Sequence, residues 1–346
     1  KFEKKFSQFA NSKYSLAVAN GTLALDLSLR ALNIKPGDEV ILPSYTFVST
    51  ANAFALRGAK IVFIDSREDH PGLDETKLEA LITENTKAIV PVHYAGVACD
   101  MEEIMRIANK HGIYVIEDAA QAIDSYLVDQ SSNKTSLGGF GQLSTFSFHE
   151  TKNVISGEGG LLAINDPELI ARAEIIWEKG TNRASFFRGE IDKYGWVDIG
   201  SSFLPSEITA AFLYSQLENL EFIQNRRKAI WDRYLSHLSI ENDNYDLPNT
   251  PEYATQNGHM FYLVMKTAKL RKDLIEYLKE NGIMAVFHYQ SLHKSSFGKE
   301  LHSSNEELPA SDKYTDLLIR LPLFMELEDD QVDFISKHIL TFLELK

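Results

Sequence analysis

Ala88-Ile-Val-Pro-Val-His93, Asp100-Met-Glu-Glu-Ile-Met-Arg-Ile-Ala-Asn-Lys-His111 and Ile113-Tyr-Val-Ile-Glu117 decide the fold. The outer two are short apolar runs, the pattern of fully buried strands. Between them lies an amphipathic helix with Asp100 as its cap. The same alternation fills the first half of the chain. Glu39-Val-Ile-Leu-Pro43 and Lys60-Ile-Val-Phe-Ile-Asp65 read as strands. Ser44-Tyr-Thr-Phe-Val-Ser-Thr50 leads into a helix ending near Arg57-Gly58, and residues 73–82 read as a helix with Asp74 and Glu75 in its first turn. Short apolar strands alternating with amphipathic helices indicate an α/β protein with a mostly parallel, doubly wound sheet covered on both faces. Ligands of such sheets sit beyond the carboxyl ends of the strands, and Asp118 falls just past one such end.

Residues 15–30 fit both periods, because Leu23, Leu25, Leu27 and Leu29 alternate while Leu25, Leu29 and Leu32 follow helical spacing. We read a helix beginning near Thr22, after the loop Asn20-Gly21. Gly21 admits close backbone approach, and the first helical N–H groups point outward, which suits a phosphate; the plainer reading is an ordinary helix cap. Further on, residues 128–137 read as a polar, mobile loop, residues 142–148 and 160–164 as strands, and residues 166–179 as a helix. A long helix is predicted over residues 206–238. The remainder reads as α+β: strands over 260–265 and 284–289, helices over 270–281, 311–319 and 329–343. The expected division is a large domain over residues 1–220 and a smaller α+β domain over residues 221–346.

Composition bounds the function. The formal net charge of −14 over 346 residues disfavours nucleic-acid and anionic-membrane partners. Cys99 is the only cysteine, so an intrachain disulfide and a thiolate zinc cluster are excluded. No apolar run approaches the ~20 residues of a membrane span. No apolar segment follows the basic start to make a signal peptide, and a reducing cytoplasm is expected. The chain opens without Met, so upstream residues are expected. His93, His149, His288 and His293 lie on separate elements without paired metal-ligand spacing, and no metal is expected. There is no G-x-G-x-x-G after the first strand and no G-x-S-x-G elbow, and Gly157-Glu-Gly-Gly160 lacks a P-loop lysine.

Ser144-Thr-Phe-Ser-Phe-His-Glu-Thr-Lys-Asn153 carries the chemistry. A lysine after an apolar, aromatic run can be desolvated, which lowers its pKa and frees a neutral, nucleophilic amine. An ordinary surface lysine is the bland alternative for Lys152, a helix cap for Asp118 and a core side chain for Phe47. Together they frame a pyridoxal ring. Such a cofactor needs an amine for its aldehyde, a carboxylate for its ring nitrogen, a stacking side chain and a phosphate cradle. Lys152, Asp118, Phe47, and Gly21-Thr22 with Ser147 supply one candidate for each.

Pro43-Ser-Tyr-Thr-Phe-Val-Ser-Thr-Ala-Asn-Ala53, Ile89-Val-Pro-Val-His-Tyr-Ala-Gly96, Glu117-Asp-Ala-Ala-Gln121, Phe146-Ser-Phe-His-Glu-Thr-Lys-Asn153, His288-Tyr-Gln-Ser-Leu-His293 and Leu321-Pro-Leu-Phe324 resemble the DegT/DnrJ/EryC1/StrS sugar aminotransferases over nearly the whole chain. The resemblance implies the aspartate aminotransferase-like fold (type I), pyridoxal 5′-phosphate as cofactor, and a homodimer with its sites at the subunit interface. It also implies that Lys152 is the Schiff-base lysine, that Asp118 pairs with the pyridine nitrogen and that Gln121 contacts the ring hydroxyl. Phe47 then stacks on the ring, and Gly21, Thr22 and Ser147 hold the phosphate.

Arg57-Gly-Ala-Lys-Ile-Val-Phe63, Val92-His-Tyr-Ala-Gly-Val-Ala-Cys99, Glu178-Lys-Gly-Thr-Asn-Arg183 and Asp198-Ile-Gly-Ser-Ser202 are similar to members that aminate C4 of dTDP-4-keto-6-deoxy-D-glucose with L-glutamate. Many members have G-x-N-x-R-M where this chain has Gly200-Ser-Ser-Phe-Leu-Pro205. Ser202 therefore stands where an Asn reaches across the dimer to the phosphate. Arg183, Arg188, Lys193 and Tyr194 lie in a long aromatic and charged loop, residues 180–196, that reads either as a cover for the sugar nucleotide or as a dimer contact. Tyr289, in the His288 segment, is a further candidate for substrate binding. Related sugar dehydratases carry His in place of Lys152, and a non-catalytic protein of this fold would have lost Lys152 or Asp118; both are present.

Overall fold

The structure, a computed structural model, describes residues 1–301 and 307–344. The first seven-stranded sheet uses β1 (Tyr14–Val18), β2 (Glu39–Pro43), β3 (Lys60–Ile64), β4 (Thr86–Ile89), β5 (Tyr114–Asp118), β8 (Leu143–Ser147) and β9 (Gly160–Ile164), in the order β1-β9-β8-β5-β4-β2-β3. The four neighbouring pairs from β3 to β8 are parallel, and β9 lies antiparallel to both β8 and β1. Only β9 therefore runs against the other six. The carboxyl ends of β1, β5 and β8 share one edge of the sheet.

Both sheet faces are buried, as the apolar runs require. Val40, Leu42, Ile116 and Leu162 pack into one apolar cluster with Leu27 and Phe54. Ile41, Val115, Phe146 and Leu161 pack into another with Phe6 and Ile104. Adjacent residues of one strand enter opposite clusters, which is the period-two rule of the strand. A second sheet of β10 (Tyr245–Asp246), β11 (Phe261–Met265), β12 (Val286–Phe287) and β13 (Leu318–Leu321) is antiparallel in the order β10-β11-β13-β12. Its helices bury a third cluster around Ile230, Phe261, Leu274, Ile319 and Ile339. Between the two sheets lies a tyrosine-rich seam of Tyr45, Tyr94, Tyr262 and Tyr314 with Met260 and Leu318.

Several elements differ from the sequence reading. A helix Phe2–Ala10 and strand β1 precede the helix Gly21–Ala31. Residues 73–82 form two 3-10 turns, Glu75–Lys77 and Glu79–Leu81, and not an α-helix; Leu73 is held in a bridge to Ser66, and Asp74 caps the first turn by accepting from Thr76 N at 3.2 Å. The helix predicted over 166–179 opens with the 3-10 turn Pro167–Leu169 and continues as Ile170–Trp177. The helix predicted over 206–238 is two, Glu207–Glu218 and Leu220–Leu238, broken at Asn219, whose side chain donates to Ser215 O at 2.9 Å. Residues 128–137 are not a mobile loop. β6 (Tyr126–Val128) and β7 (Lys134–Ser136) pair as a hairpin, and its turn is closed by Asp129 accepting from Ser131 N and Asn133 N, both at 2.8 Å. Residues 284–289 shorten to β12, and the helix Pro309–Leu317 is followed directly by β13, which the sequence reading ran into the helix.

Candidate active site

A cavity of about 430 Å³ opens at the carboxyl edge of the larger sheet. Gly21, Thr22, Phe47, Thr50, Asp118, Gln121, Ser147, Lys152, His288, Tyr289 and Arg320 line it. Local chain geometry brings them there. Asp118 ends β5 and Ser147 ends β8, while Gly21 opens the helix that follows β1.

At one end is a backbone cradle. Asn20 caps the helix by accepting from Leu23 N at 2.9 Å, so the N–H groups of Gly21 and Thr22 keep no intrahelical partner. A Cβ on Gly21 would lie 2.8 Å from Ser147 Cβ, and one on Gly160 would lie 2.4 Å from Asn20 O. Only glycine lets these three backbones converge. Thr22 Oγ1 and Ser49 Oγ are 2.8 Å apart and present hydroxyls at the same place. Outward N–H groups, hydroxyls and the positive end of a helix dipole suit a phosphate.

Asp118 is buried and aimed into the cavity. Its Oδ2 accepts from Thr50 Oγ1 at 2.8 Å and its Oδ1 from Ala120 N at 3.2 Å. Phe47 caps the helix Val48–Ala55, is 54% exposed, and its ring centroid lies 6.0 Å from that of Tyr289. Its face is open for stacking. Gln121 is already engaged: Oε1 accepts from Ala95 N at 2.7 Å and Nε2 donates to Tyr289 Oη at 3.1 Å. Tyr289 holds a left-handed backbone with φ of 57°, a conformation rare for a bulky residue outside functional sites.

Lys152 closes a tight turn by donating its backbone N–H to His149 O at 2.9 Å. The next residue, Asn153, is pinned by its Nδ2 donating to Gln224 Oε1 and Asn257 O. Lys152 Nζ makes no hydrogen bond or ion pair among the described residues. Burial drives its pKa down to about 8, with Asp118 opposing and Arg320 adding to the shift. An amine so placed is a ready nucleophile. His288 is pushed down to about 3 by burial and by the Arg320 and Lys152 cations, so it is neutral, and its Nδ1 accepts from Tyr94 Oη at 2.6 Å.

Not every predicted residue reaches this cavity within one chain. Arg183, Arg188, Lys193, Tyr194 and Ser202 lie outside its lining. Arg183 Nη1 donates to Glu178 Oε1 at 2.6 Å, and Arg188 holds Glu174 at 2.9 Å and Glu190 at 2.6 Å. Residues 180–196 contain a short helix, Arg183–Phe187, and a bridge between Thr181 and Trp196. Trp196 is 81% exposed. Conversely, sequence reasoning assigned no role to Thr50, His288 or Arg320. Thr50 lies about one helical turn beyond Phe47, a spacing that shares a face. Arg320 interrupts the apolar strand Leu318–Leu321, and that break in pattern was the available signal.

Residues 1–340 match the DegT/DnrJ/EryC1/StrS aminotransferase family. The chain is 33% identical over 345 residues to the spore coat polysaccharide biosynthesis protein SpsC of Bacillus subtilis (strain 168), covering 96% of this chain and 86% of that one. Spr1654 of Streptococcus pneumoniae in its PMP form superposes with a TM-score of 0.90 at 26% identity, over 99% of this chain and 91% of that one. Helicobacter pylori PseC, an aminotransferase involved in the biosynthesis of pseudoaminic acid, gives 0.90 at 27% identity, over 100% and 91%. The chain belongs to the DegT/DnrJ/EryC1/StrS aminotransferase family and is a pyridoxal 5′-phosphate-dependent sugar aminotransferase. The observed site suits such a cofactor: the glycine-lined cradle offers outward N–H groups and hydroxyls to a phosphate, and Lys152, which has no hydrogen bond or ion pair among the described residues, offers an amine to an aldehyde.

Proposed function

We propose that the chain moves the amino group of L-glutamate to C4 of dTDP-4-keto-6-deoxy-D-glucose, giving dTDP-4-amino-4,6-dideoxy-D-galactose for surface polysaccharide synthesis. The aminotransferase step is carried by one observation, the unpartnered Lys152 amine in a cavity it shares with Asp118. The choice of sugar is supported by the segments around Arg57, Val92, Glu178 and Asp198, which resemble dTDP-4-amino-4,6-dideoxygalactose transaminase of the enterobacterial common antigen type.

In this reading Lys152 holds the cofactor through its aldehyde carbon, Asp118 faces the ring nitrogen, and Phe47 covers the ring. Gly21, Thr22 and Ser147 hold the phosphate, and Gln121 faces the ring hydroxyl. When bound, the cofactor supplies an exchangeable carbonyl carbon and a cationic ring that withdraws electrons. With the cofactor bound, Lys152 Nζ would hold its aldehyde carbon and, once released from it, would serve as the base for the proton on the donor's α-carbon. Thr50 and Ala120 N–H hold the Asp118 carboxyl group in place, where it would face the ring nitrogen. Neutral His288 and Tyr289 wall the site without adding charge. The keto sugar then enters the same space, and the steps run in reverse.

The protein works as a cytoplasmic homodimer in this reading, with residues 1–220 and 221–346 as its two domains. The cluster around Ile230, Phe261 and Ile339, drawn wholly from residues after 229, supports that division, with Leu292 and Leu308 crossing back to pack in a core of the larger sheet. Exposed Phe47, Val48, Leu56, Phe187, Trp196, Ile208 and Phe212 support a second copy as the covering surface. Such a partner could bring Ser202, Arg183, Arg188, Lys193 and Tyr194 to the neighbouring cavity, where Tyr289 also faces the sugar. The test is a panel of keto sugar nucleotides with L-glutamate, each product identified by NMR. Amination of C4 of the dTDP-linked 4-keto-6-deoxy sugar is expected. Turnover of C3-keto or differently linked sugars alone would refute the assignment.

A further inference from the structure

A second cavity, of about 660 Å³, meets the first at Thr151, Lys152 and Arg320. Arg227, from the helix Leu220–Leu238, lines it and is only 4% exposed. Its neighbour Arg226 pairs with Asp329 at 2.7 Å. Arg227 makes no ion pair among the described residues. Its Nε donates to Gly258 O at 3.0 Å, and its Nη2 to His259 O at 2.8 Å and Leu323 O at 3.4 Å. Those three carbonyls fix the guanidinium in place but bring no counter-charge. Nη1 makes no hydrogen bond among the described residues. Glu150 is the one carboxylate of the cavity lining among the described residues, and it is exposed and in no ion pair. Burial pushes the Arg227 pKa down to about 10, with the more distant Glu326 opposing and Arg320 adding to the shift. Met260, Ile283, Leu321 and Leu323 supply apolar wall in the same cavity.

A buried guanidinium that meets only neutral carbonyls is costly until something anionic arrives. The cavity therefore suits a ligand with a terminal anion on a short apolar stem. We propose that Arg227 binds the distal carboxylate of a dicarboxylic amino donor and makes the site choose L-glutamate over its uncharged analogues. The inference rests on the glutamate-donor reading above. The donor's amine has to reach Lys152, which stands where the two cavities meet. Its two side-chain methylenes then run along apolar wall, and its far end needs a cation. Arg227 is that cation, held at a fixed position by the helix and the carbonyls rather than on a mobile stem. Nη1 keeps two N–H groups to give, and a charge-assisted bond to a carboxylate is roughly twice as strong as a neutral one. A γ-amide would leave the guanidinium as uncompensated as before, so the discrimination comes from the unpaired charge itself. A sugar nucleotide fits less well, because its diphosphate carries a base behind it and Arg227 is nearly enclosed.

The test compares two ligands on the cofactor-loaded protein, α-methyl-L-glutamate and its γ-amide. Neither has an α-proton to lose, so calorimetry gives binding constants independently of turnover. They differ only at the distal group, so whatever holds the amine and the α-carboxylate cancels. Wild type should bind the γ-carboxylate ligand on the order of 100-fold more tightly than the γ-amide. Arg227→Met should bring the two within a few-fold of each other, and Arg227→Lys, which keeps the charge, should retain part of the preference. Arg227→Gln, which can still donate to a carbonyl, is the second neutral variant should Arg227→Met not fold. The ratio is taken within one protein, so partial loss of folded protein cannot imitate the effect, whereas a merely structural Arg227 would weaken both ligands by the same factor. The inference is overturned if wild type binds the two ligands alike, or if a neutral variant keeps the wild-type ratio. If wild type binds neither, the glutamate reading falls and the inference with it. No sugar nucleotide enters the experiment, so a wrong sugar assignment leaves its outcome untouched.

Discussion

The depressed pKa of Lys152 has a direct chemical readout. At an ordinary lysine pKa of about 10.4, roughly 1 amine in 2,500 is neutral at pH 7. At the value of about 8 that burial imposes here, roughly 1 in 11 is neutral, a gain of about 200-fold in nucleophile. The signs of the neighbours follow from charge. Asp118 favours the ammonium and raises the value, so Asp118→Asn should move the inflection lower. Arg320 opposes the ammonium, so Arg320→Met should move it higher. The assay is competitive labelling of the cofactor-free protein with trace acetic anhydride from pH 6 to 11. The peptide containing Lys152 is quantified by mass spectrometry against the exposed Lys4 and Lys87 as internal standards. Reagent decay cancels because all three amines see the same solution. The labelling rate of Lys152 should rise with pH and level off just above 8. An inflection near 10, or one that neither substitution moves, would refute the reasoning.

Other outcomes follow from the same site. Lys152→Ala should abolish transamination and the cofactor's absorbance shift while circular dichroism stays native; turnover with a lysine-bound spectrum would remove Lys152 from the role. Asp118→Asn should lower kcat by on the order of 100-fold, equivalent to about 3 kcal/mol of lost charge stabilisation, and near-normal kcat would defeat the assignment. Gly21→Ala should weaken pyridoxal 5′-phosphate binding in an equilibrium titration, because its Cβ would press on Ser147 at 2.8 Å; unchanged affinity would place the phosphate elsewhere. Single Ala substitutions of Arg183, Arg188 and Lys193 should raise KM for the keto sugar nucleotide and spare the glutamate half-reaction; equal loss of both would make residues 180–196 structural.

The βαβ run from Ala88 to Glu117 was legible because each of its apolar segments is short, bounded and buried on both faces in the fold. Lys152 was conspicuous for a related reason, a charged residue directly after a buried aromatic run. Tyr14–Val18 was not legible, since the leucines that follow it fit two periods at once and only pairing with β9 settles the choice. The reversal of β9 was equally hidden, because direction depends on how residues 148–159 turn and not on the strand's own composition. Arg320 belongs to neither class. Its neighbours Ile319 and Leu321 point into the smaller unit's core, and strand alternation alone sends Arg320 to the opposite face, the one shared with the tyrosine seam. Which cavity that face borders is a property of the two sheets together and of no local segment.

The pair Glu117 and Asp118 shows how the fold fixes the site. Consecutive strand residues point to opposite faces, so when Asp118 enters the cavity Glu117 must be buried behind it. A buried carboxylate is tolerated only when its lone pairs are filled. Glu117 accepts from Gly138 N, Phe140 N and Gly141 N, each at 2.7 Å, and from His93 Nε2 at 3.0 Å. His93 can donate there because its Nδ1 accepts from Cys99 N at 3.3 Å. Residues 138–141 lead straight into β8, whose last residue is Ser147 beside Gly21. One buried carboxylate thus clamps the strand bearing Asp118 to the strand bearing Ser147. The distance between Asp118 and the glycine-lined cradle is therefore set by a network whose members do not line the cavity, while Arg320, His288 and Tyr289 come from the second sheet and the residues next to it. One part of the cavity wall is thus built by the larger sheet and the other by the smaller one.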